Sequence, residues 1–430
     1  MKPDIKDRDY MYRLMIGQLF YDGQQQVAMS LAQSIGVSAN PPPPSDKLFR
    51  LVSIAKPMVE EGNDKEGSLL LDGDSGGAGG LDLEYDADIA PSTPEPSLYE
   101  TIYLVNHKAP VRAAAFNQEG TLVATGSADC SIRVLDVERM VAREVGPAVR
   151  ANSGPVSDVN HPVIRTMYDH IDEVNCLAFH PRDQILASGG SDFTLKFFDF
   201  SKTAVKRASR TIIEVEPVLA LSFHPTGDYI LCGTAHSTLR LYDVATGQAF
   251  VSPQPADQHQ GAITDVNYAD SARVYVTASA DGDVKVWDGV SNRCVETFSR
   301  AHDGAEVCSA RLTKNGKYVL TAGKDSCVKL WELAANRCLI AYTGAGAMGA
   351  QESRVQAALN QSEDYVMLPD EKSGSLCSWD ARNADRKRLL ALGHTGPIRR
   401  FLHSPTHPAF LTGSDDHRAR FWYKKSGASS

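Results

Sequence analysis

Histidine, aspartate and a serine or threonine recur together along the chain, and these are the residue types of a nucleophilic hydrolase. In such an enzyme a histidine takes the proton from a hydroxyl nucleophile while an aspartate orients the imidazole. The recurring pairs are His107 and Asp129, His170 and Asp192, His259 and Asp281, His302 and Asp325, and His394 and Asp416. One reaction needs one such set. Five copies at nearly constant spacing favour a structural role, and we predict that the chain is not an enzyme.

A second signal gives the length of the repeat. An aromatic or apolar residue followed by an acid, or in the last case by a tyrosine, returns seven times, at Leu135, Phe198, Tyr242, Trp287, Trp331, Trp379 and Trp422. Successive intervals are 63, 44, 45, 44, 48 and 43 residues. A period of about 40–45 residues ending in Trp-Asp is typical of a propeller with four-stranded blades. The pattern predicts an all-β seven-bladed WD-repeat propeller over residues 98–430.

The two signals belong to one unit, because each acid of the first set lies six residues before the aromatic or apolar residue of the second. In WD-repeat proteins, which these repeats resemble, the histidine, the acid, a hydroxyl and the tryptophan of a blade form a buried hydrogen-bond network. We expect the five pairs above to do the same, joined by Trp287, Trp331 and Trp422. Blades three and six have His236 and Ser373 at the acid position and no clear upstream histidine.

The two ends of the repeat array must share a blade. After Trp422-Tyr423 only seven residues remain, too few for an outer strand, while residues 99–105 have the composition of a strand. Since an open ring would leave an unpaired edge, residues 99–105 are predicted to be the outer strand of blade seven. The long first interval predicts an insertion at about residues 138–164, read as a solvated loop because it contains several prolines.

Residues 1–60 are predicted to be a small all-α domain, with two helices in residues 5–36 and a third from Ser45 to about Lys56. Each helix has one apolar stripe, so the pair needs a partner surface. The hairpin resembles the LisH dimerisation motif, although Gln18 and Gln24 stand where that family has aromatics. The predicted homodimer interface consists of Leu14, Met15, Leu19, Phe20, Val27 and Leu31. Packing of these helices on the chain's own propeller is the alternative.

Residues 61–97 read as an acidic Gly/Pro-rich linker, because they contain too little apolar area to offset the entropy cost of ordering. Residues 1–96 contain 8 Lys/Arg and 16 Asp/Glu, whereas the remainder contains 36 and 37. A nearly neutral propeller gives little support for unaided nucleic-acid binding. The candidate partner patch is a set of four arginines near the end of the chain, Arg399, Arg400, Arg418 and Arg420.

No cofactor and no metal are predicted. Residues 343–350 resemble the glycine fingerprint of dinucleotide-binding proteins, but that motif is meaningful only within a parallel strand-helix-strand unit. Here it falls in phase with the propeller period, between blades five and six. The eight cysteines are scattered singly, which fits neither a zinc site nor a disulfide framework and is typical of a reducing compartment.

Longer strings of residues are similar to one family. HPVIRT at 161–166, VWDGVSNRC at 286–294, AHDGAEVCSA at 301–310, DDHRARFWY at 415–423 and LDLEYDAD at 81–88 resemble the WD-repeat subunits of the cleavage stimulation factor. This resemblance implies a non-catalytic nuclear scaffold in pre-mRNA 3′-end cleavage and polyadenylation. It further implies that the N-terminal domain homodimerises, and that the propeller binds the HAT-repeat subunit. Through that subunit it would reach the RNA-binding subunit, so RNA contact is indirect.

A WD-repeat receptor of another class is the alternative function. A ubiquitin-ligase substrate adaptor or a reader of chromatin peptides could combine the same propeller with a LisH-like hairpin. Co-purification separates the two, since a HAT-repeat partner supports the scaffold and a cullin or a histone tail supports the adaptor or the reader.

Overall fold

A computed structural model describes residues 14–16, 18–19, 27–29, 31–32, 81, 83, 91, 93–144, 161–202, 205–345 and 350–424. The chain divides into two compact units, Met1–Asp74 and Ser75–Ser430. Within the described residues of the second unit, 28 strands form seven four-stranded antiparallel sheets. This arrangement confirms the predicted seven-bladed propeller.

The blades are numbered in chain order, and each runs from its innermost strand outward. Blade one contains β2 (Val111–Phe116), β3 (Leu122–Ser127), β4 (Ser131–Asp136) and β5 (Val163–Tyr168). Blade two contains β6 (Val174–Phe179), β7 (Ile185–Gly190), β8 (Thr194–Asp199) and β9 (Arg210–Ile213). Blade three contains β10 (Val218–Phe223), β11 (Tyr229–Thr234), β12 (Arg240–Asp243) and β13 (Ala249–Phe250).

Blade four contains β14 (Ile263–Tyr268), β15 (Val274–Ser279), β16 (Val284–Asp288) and β17 (Cys294–Phe298). Blade five contains β18 (Val307–Leu312), β19 (Tyr318–Gly323), β20 (Val328–Glu332) and β21 (Arg337–Tyr342). Blade six contains β22 (Ala358–Leu359), β23 (Tyr365–Asp370), β24 (Ser375–Asp380) and β25 (Leu390–Ala391). Blade seven contains β26 (Ile398–His403), β27 (Ala409–Ser414), β28 (Arg418–Lys424) and, as its outer strand, β1 (Tyr99–Asn106).

The N-terminal strand closes the ring. β1 pairs antiparallel with β28 along its whole length, from Tyr99 opposite Lys424 to Asn106 opposite Arg418. The Tyr99 ring stacks on Phe410 with centroids 5.3 Å apart. The strand predicted at residues 99–105 and the observed strand therefore coincide to within one residue.

The hydrophobic core lies between adjacent blades, because the second strand of each blade is covered on both faces by the neighbouring blades. All six residues of β19, β23 and β27 are buried. Close packing here requires small residues, and Gly189 is an example: a Cβ at this position would lie 2.3 Å from a methyl carbon of Val218 in the next blade. Glycine thus lets blades two and three approach each other.

The insertion after blade one begins with a helix, which corrects the prediction of a solvated loop. Helix α1 (Val137–Glu144) directly follows β4, and Met140 is fully buried in a cluster with Leu135 and Phe421. Asp136 caps the helix, since its carboxylate accepts a hydrogen bond from the Arg139 N–H at 3.1 Å. The first proline of the insertion, Pro147, comes only after this helix ends.

In the N-terminal unit the described residues are helical and form a small apolar cluster. Ile16, Ala28 and Ala32 are fully buried, and Leu19 and Leu31 pack against them. The third predicted helix, at Ser45 to Lys56, lies outside the described residues. Among the helices that are described, none has the length and apolar character to cross a membrane.

Candidate functional site

The recurring polar residues form buried networks, most completely in blades four, five and seven. In blade five, His302 Nδ1 lies 3.0 Å from the Asp325 carboxylate and His302 Nε2 lies 2.9 Å from Thr321 Oγ1. The Trp331 indole N–H donates to the same hydroxyl at 2.9 Å. The equivalent sets are His259, Asp281, Thr277 and Trp287 in blade four and His394, Asp416, Thr412 and Trp422 in blade seven.

The hydrogen bonds of each network allow a consistent assignment of protons. The indole can only donate, so the threonine oxygen accepts from it and donates its own proton to histidine Nε2. Nδ1 then carries the imidazole proton and donates it to the aspartate. A neutral histidine fits this arrangement, because burial lowers the pKa of His394 in spite of the opposing effect of Asp416. Burial would raise the pKa of Asp281, but hydrogen bonds from His259 and the Gln260 N–H outweigh it and lower that pKa.

Blades one and two keep the histidine, the acid and the hydroxyl but lack the tryptophan. His170 lies 2.9 Å from the Asp192 carboxylate and 2.6 Å from Ser188 Oγ, and Phe198 stands at the tryptophan position. In blade one, His107 Nε2 lies 3.0 Å from Thr125 Oγ1, and its Nδ1 is 3.5 Å from Asp129. Leu135 stands at the tryptophan position there.

Blade three has a different network, which the sequence analysis missed. Glu214 lies at the histidine position, where its carboxylate accepts from the Tyr242 hydroxyl at 2.6 Å and pairs with Arg240 at 2.9 Å. Thus a carboxylate and a phenol replace the imidazole and the indole. The spacing could have found it, because Glu214 lies 44 residues after His170 and 45 before His259.

Blade six has no equivalent of the network among its described residues. Gln351 occupies the histidine position and Leu368 the hydroxyl position, while the Trp379 indole donates to the Thr343 carbonyl at 3.0 Å. Residues 346–349, the centre of the glycine-rich segment, lie outside the described residues. In this blade Leu368 therefore replaces the hydroxyl residue and Gln351 replaces the histidine.

The geometry of these sets does not support nucleophilic catalysis. All five hydroxyl residues, Thr125, Ser188, Thr277, Thr321 and Thr412, are 0% exposed. A substrate carbonyl could not reach such an oxygen without unfolding the blade. In the part of the chain that the structure describes, no cluster of three or more His, Cys, Asp or Glu could hold a metal ion.

Two cavities lie along the central channel of the ring. One cavity of about 310 Å³ is lined mainly by the innermost strands β2, β6 and β10. A second, of about 200 Å³, lies where these strands begin and includes the side chains of Arg112, Arg354 and Arg399. Each of these three is paired with an acid: Arg112 and Arg399 with Asp415, and Arg354 with Glu306. Ion pairs thus occupy this end of the channel.

The four arginines of the candidate partner patch do not form one surface. Arg400 points into the channel and donates to the backbone carbonyls of Arg112 and Asn175. Arg418 and Arg420 are on β28, with β27 between them and Arg400. Of the four, Arg418 is exposed, whereas Arg399, Arg400 and Arg420 are half-buried.

Part of the acidic segment 61–97 packs on the propeller, which corrects the reading of that segment as linker throughout. Leu81 is fully buried against Tyr318 and its neighbours. Its N–H donates to the Glu363 carboxylate at 2.8 Å, and its carbonyl accepts from the Asn315 amide at 2.6 Å. Further along, Thr93 donates to Asp364 at 3.0 Å. Leu81 and Thr93 therefore contact blades five and six, ahead of β1 in blade seven.

The predicted interface residues of the N-terminal unit differ in exposure. Val27 is 49% exposed, whereas Leu14, Met15, Leu19 and Leu31 are half-buried. Met29, a neighbour of Val27 outside the predicted set, is 40% exposed. Phe20 lies outside the described residues. Val27 and Met29 thus leave apolar surface uncovered in the single chain.

Two protein families match the chain. Residues 3–60 match the family described as the dimerisation domain of cleavage stimulation factor subunit 1. The WD domain, G-beta repeat, matches six times, at residues 99–136, 162–199, 211–243, 254–288, 292–332 and 386–423. The blade without a match is blade six, which also lacks the histidine, hydroxyl and acid set.

Curated relatives agree with these matches. Cleavage stimulation factor subunit 50 of Arabidopsis thaliana is 37% identical over 95% of this chain and 94% of its own length. Nuclear distribution protein nudF of Emericella nidulans is 32% identical over 41% of each chain. Nuclear distribution protein nudF 1 of Talaromyces marneffei is 23% identical over 34% of this chain and 32% of its own. The first likeness extends over nearly the whole of both proteins.

Proposed function

The chain belongs to the family of cleavage stimulation factor subunit 50, and from that premise we propose that it is a scaffold subunit of the nuclear complex for pre-mRNA 3′-end cleavage and polyadenylation. The observation that carries the proposal is the 37% identity over 95% of the chain. A WD-repeat member of this family is a non-catalytic protein, and the buried hydroxyls are consistent with that.

The N-terminal unit supplies the first scaffold contact, a homodimer. The match of residues 3–60 to a dimerisation domain supports it. We assign the interface to the predicted residues Leu14, Met15, Leu19, Phe20, Val27 and Leu31. Val27 is the best of these positions for mutation, because about half of its surface is exposed in the single chain. Leu19 and Leu31 also pack on Ile16, so changing them would disturb the fold of the unit itself.

The dimer is tested by replacing Val27 and Met29 with glutamate in the full chain. Multi-angle light scattering should then give the mass of one chain, while the melting temperature of the propeller is unchanged. Val290→Glu is the matched control, since Val290 is 90% exposed on the propeller, and it should remain dimeric. A double variant that is still dimeric at micromolar concentration would place the interface elsewhere.

The propeller supplies the second contact, with the HAT-repeat subunit and through it the RNA-binding subunit. RNA is then bound by the complex and not by this chain, in keeping with 36 Lys/Arg against 37 Asp/Glu after residue 96. Two copies of the scaffold make the complex bivalent for RNA, which raises affinity without any new contact.

The partner is tested by capture from nuclear extract with the tagged full chain, followed by mass spectrometry. Enrichment of a HAT-repeat protein together with an RNA-recognition protein supports the proposal. Enrichment of a cullin or of histone tails without them would contradict it and favour a ligase adaptor or a chromatin reader.

A further inference from the structure

Blade two carries an unusual residue in a tight turn. In six blades the turn before the third strand contains a residue with positive φ: Cys130, Phe193, Gly282, Ser326, Gly374 and His417, with φ between 59° and 90°. A side chain in this left-handed conformation is strained, and glycine, asparagine and aspartate tolerate it best. Phe193, at φ 59°, is the bulkiest apolar residue of this set and is 44% exposed. It incurs the strain of the turn without being fully buried in return.

Three further apolar side chains lie around this turn. Ile171, which is 87% exposed, donates its N–H to the Asp192 carboxylate next to Phe193. Ile213, 81% exposed, pairs with Thr194 on the other side of the turn. Val215, 73% exposed, follows Glu214, whose N–H donates to the Phe193 carbonyl at 2.7 Å. We call Ile171, Phe193, Ile213 and Val215 the blade-two patch.

A contiguous exposed apolar patch marks a site of interaction, whereas single exposed apolar residues need no explanation. The patch members belong to three separate segments, and the backbone hydrogen bonds above bring them to one rim of the blade. Scattered exposure, as at Val290 in blade four, has no such neighbours bonded to it among the described residues. The clustering therefore points to a partner surface.

The charges bordering the patch indicate the kind of partner. Asp172 and Glu173 directly follow Ile171, and Glu216 directly follows Val215. No lysine or arginine occurs in residues 171–173, 192–194 or 213–216. The cations that reach these segments already have acidic partners: Arg112, 3.6 Å from Glu173, is paired with Asp415, Arg240 with Glu214, and Lys196 with Asp169 and Asp192. Complementary potentials favour a positively charged partner here.

We propose that the blade-two patch binds a peptide segment of a partner protein in which apolar side chains alternate with lysine or arginine. Apolar residues of the peptide cover Phe193 and its neighbours, and its cations face Asp172, Glu173 and Glu216. None of the patch residues belongs to the dimerisation domain or lines the channel, and the proposal does not depend on which complex the chain joins.

The test is fluorescence anisotropy of labelled 14-residue model peptides with the full chain. A leucine-lysine peptide should bind at least tenfold more tightly than a leucine-glutamate peptide of the same pattern. It should also bind at least tenfold more tightly than a serine-lysine peptide, which measures charge alone. Equal binding of the leucine-glutamate or serine-lysine peptide, or no binding of the leucine-lysine peptide, would overturn the proposal.

Phe193→Asn separates binding from folding. Asparagine tolerates the left-handed turn, so the melting temperature should be unchanged or higher, while affinity for the leucine-lysine peptide should fall at least tenfold. Val290→Asn, an equally polar change at an exposed site in blade four, should leave affinity unchanged. A Phe193→Asn protein that binds like the wild type, or that melts at a lower temperature, would show that the side chain serves the fold and not a partner.

Discussion

Thr321 is the position where the buried networks can be tested most sharply. Its hydroxyl is fully buried and serves two partners at once, His302 Nε2 and the Trp331 indole, both at 2.9 Å. Thr321→Val keeps the shape and the β-branched character of the side chain and removes the oxygen alone. Both partners then lose their hydrogen bond inside the blade.

The size of the effect follows from the two unsatisfied groups. Each buried polar group left without a partner costs about 1–3 kcal/mol, so the free energy of unfolding should fall by about 2–6 kcal/mol. For a propeller of about 330 residues this corresponds to a melting temperature lower by about 3–9 °C. Differential scanning calorimetry measures it, with Thr211→Val on the exposed edge of blade two as the control that should change little.

Thr321→Val proteins that melt within 1 °C of the wild type would refute this reasoning. Such a result would mean that the two partners find water or relax, and that the network contributes little stability. Blade six gives the matching comparison, because there Leu368 replaces the hydroxyl where the histidine is also absent. The loss of stability in Thr321→Val is therefore predicted to arise because His302 and Trp331 lose their hydrogen-bond partner. An apolar residue at the hydroxyl position is not itself destabilising where the histidine is absent, as in blade six.

Three other perturbations have definite expected outcomes. Burial lowers the pKa of His107 from 6.5 to about 4. The stability that the neutral imidazole contributes is therefore complete above pH 6.5 and is lost as the pH falls toward 4, by about 3 kcal/mol at most. Urea melts should show a falling free energy of unfolding across that window, and His107→Gln should flatten this pH dependence, whereas exposed His417→Gln should not. Glu214→Gln should lower the free energy of unfolding by about 1–3 kcal/mol, because Arg240 loses its buried counter-ion, whereas exposed Glu352→Gln should be neutral in the same urea melt. Leu81→Asp should release the docked part of the acidic segment without unfolding the ring. Hydrogen exchange should then be faster at the Lys314 amide, because this amide donates to Glu363, which also accepts from the Leu81 N–H. An unchanged exchange rate at Lys314 would contradict the contact.

The propeller could be predicted from the sequence because the same residue types recur at equivalent positions of successive blades. The terminal aromatic or apolar residue and the acid before it fix the third strand and its turn in most blades. The missing outer strand of blade seven points back to Tyr99 and its neighbours, since an antiparallel ring cannot leave an edge unpaired. The same strand and turn recur in each blade and need the same residue types, so one sequence is enough to reveal the repeat.

Contacts that use the backbone could not be predicted in the same way. Leu81 is held by its own N–H and carbonyl, and these groups are common to every residue. Phe193 gave no signal either, because its left-handed φ is a property of the turn and not of phenylalanine. Glu214 and helix α1 are different, since the repeat spacing and the Asp136 cap were present in the sequence and pointed to them.

The mass of the reconstituted complex tests the proposed scaffold role most directly. The purified chain is mixed with the HAT-repeat subunit of the cleavage stimulation factor, and the mixture is measured by analytical ultracentrifugation. A single species with two copies of each subunit is predicted, and the Val27→Glu, Met29→Glu chain should reduce the number of its own copies from two to one. A wild-type mixture that sediments as two separate proteins would contradict the account.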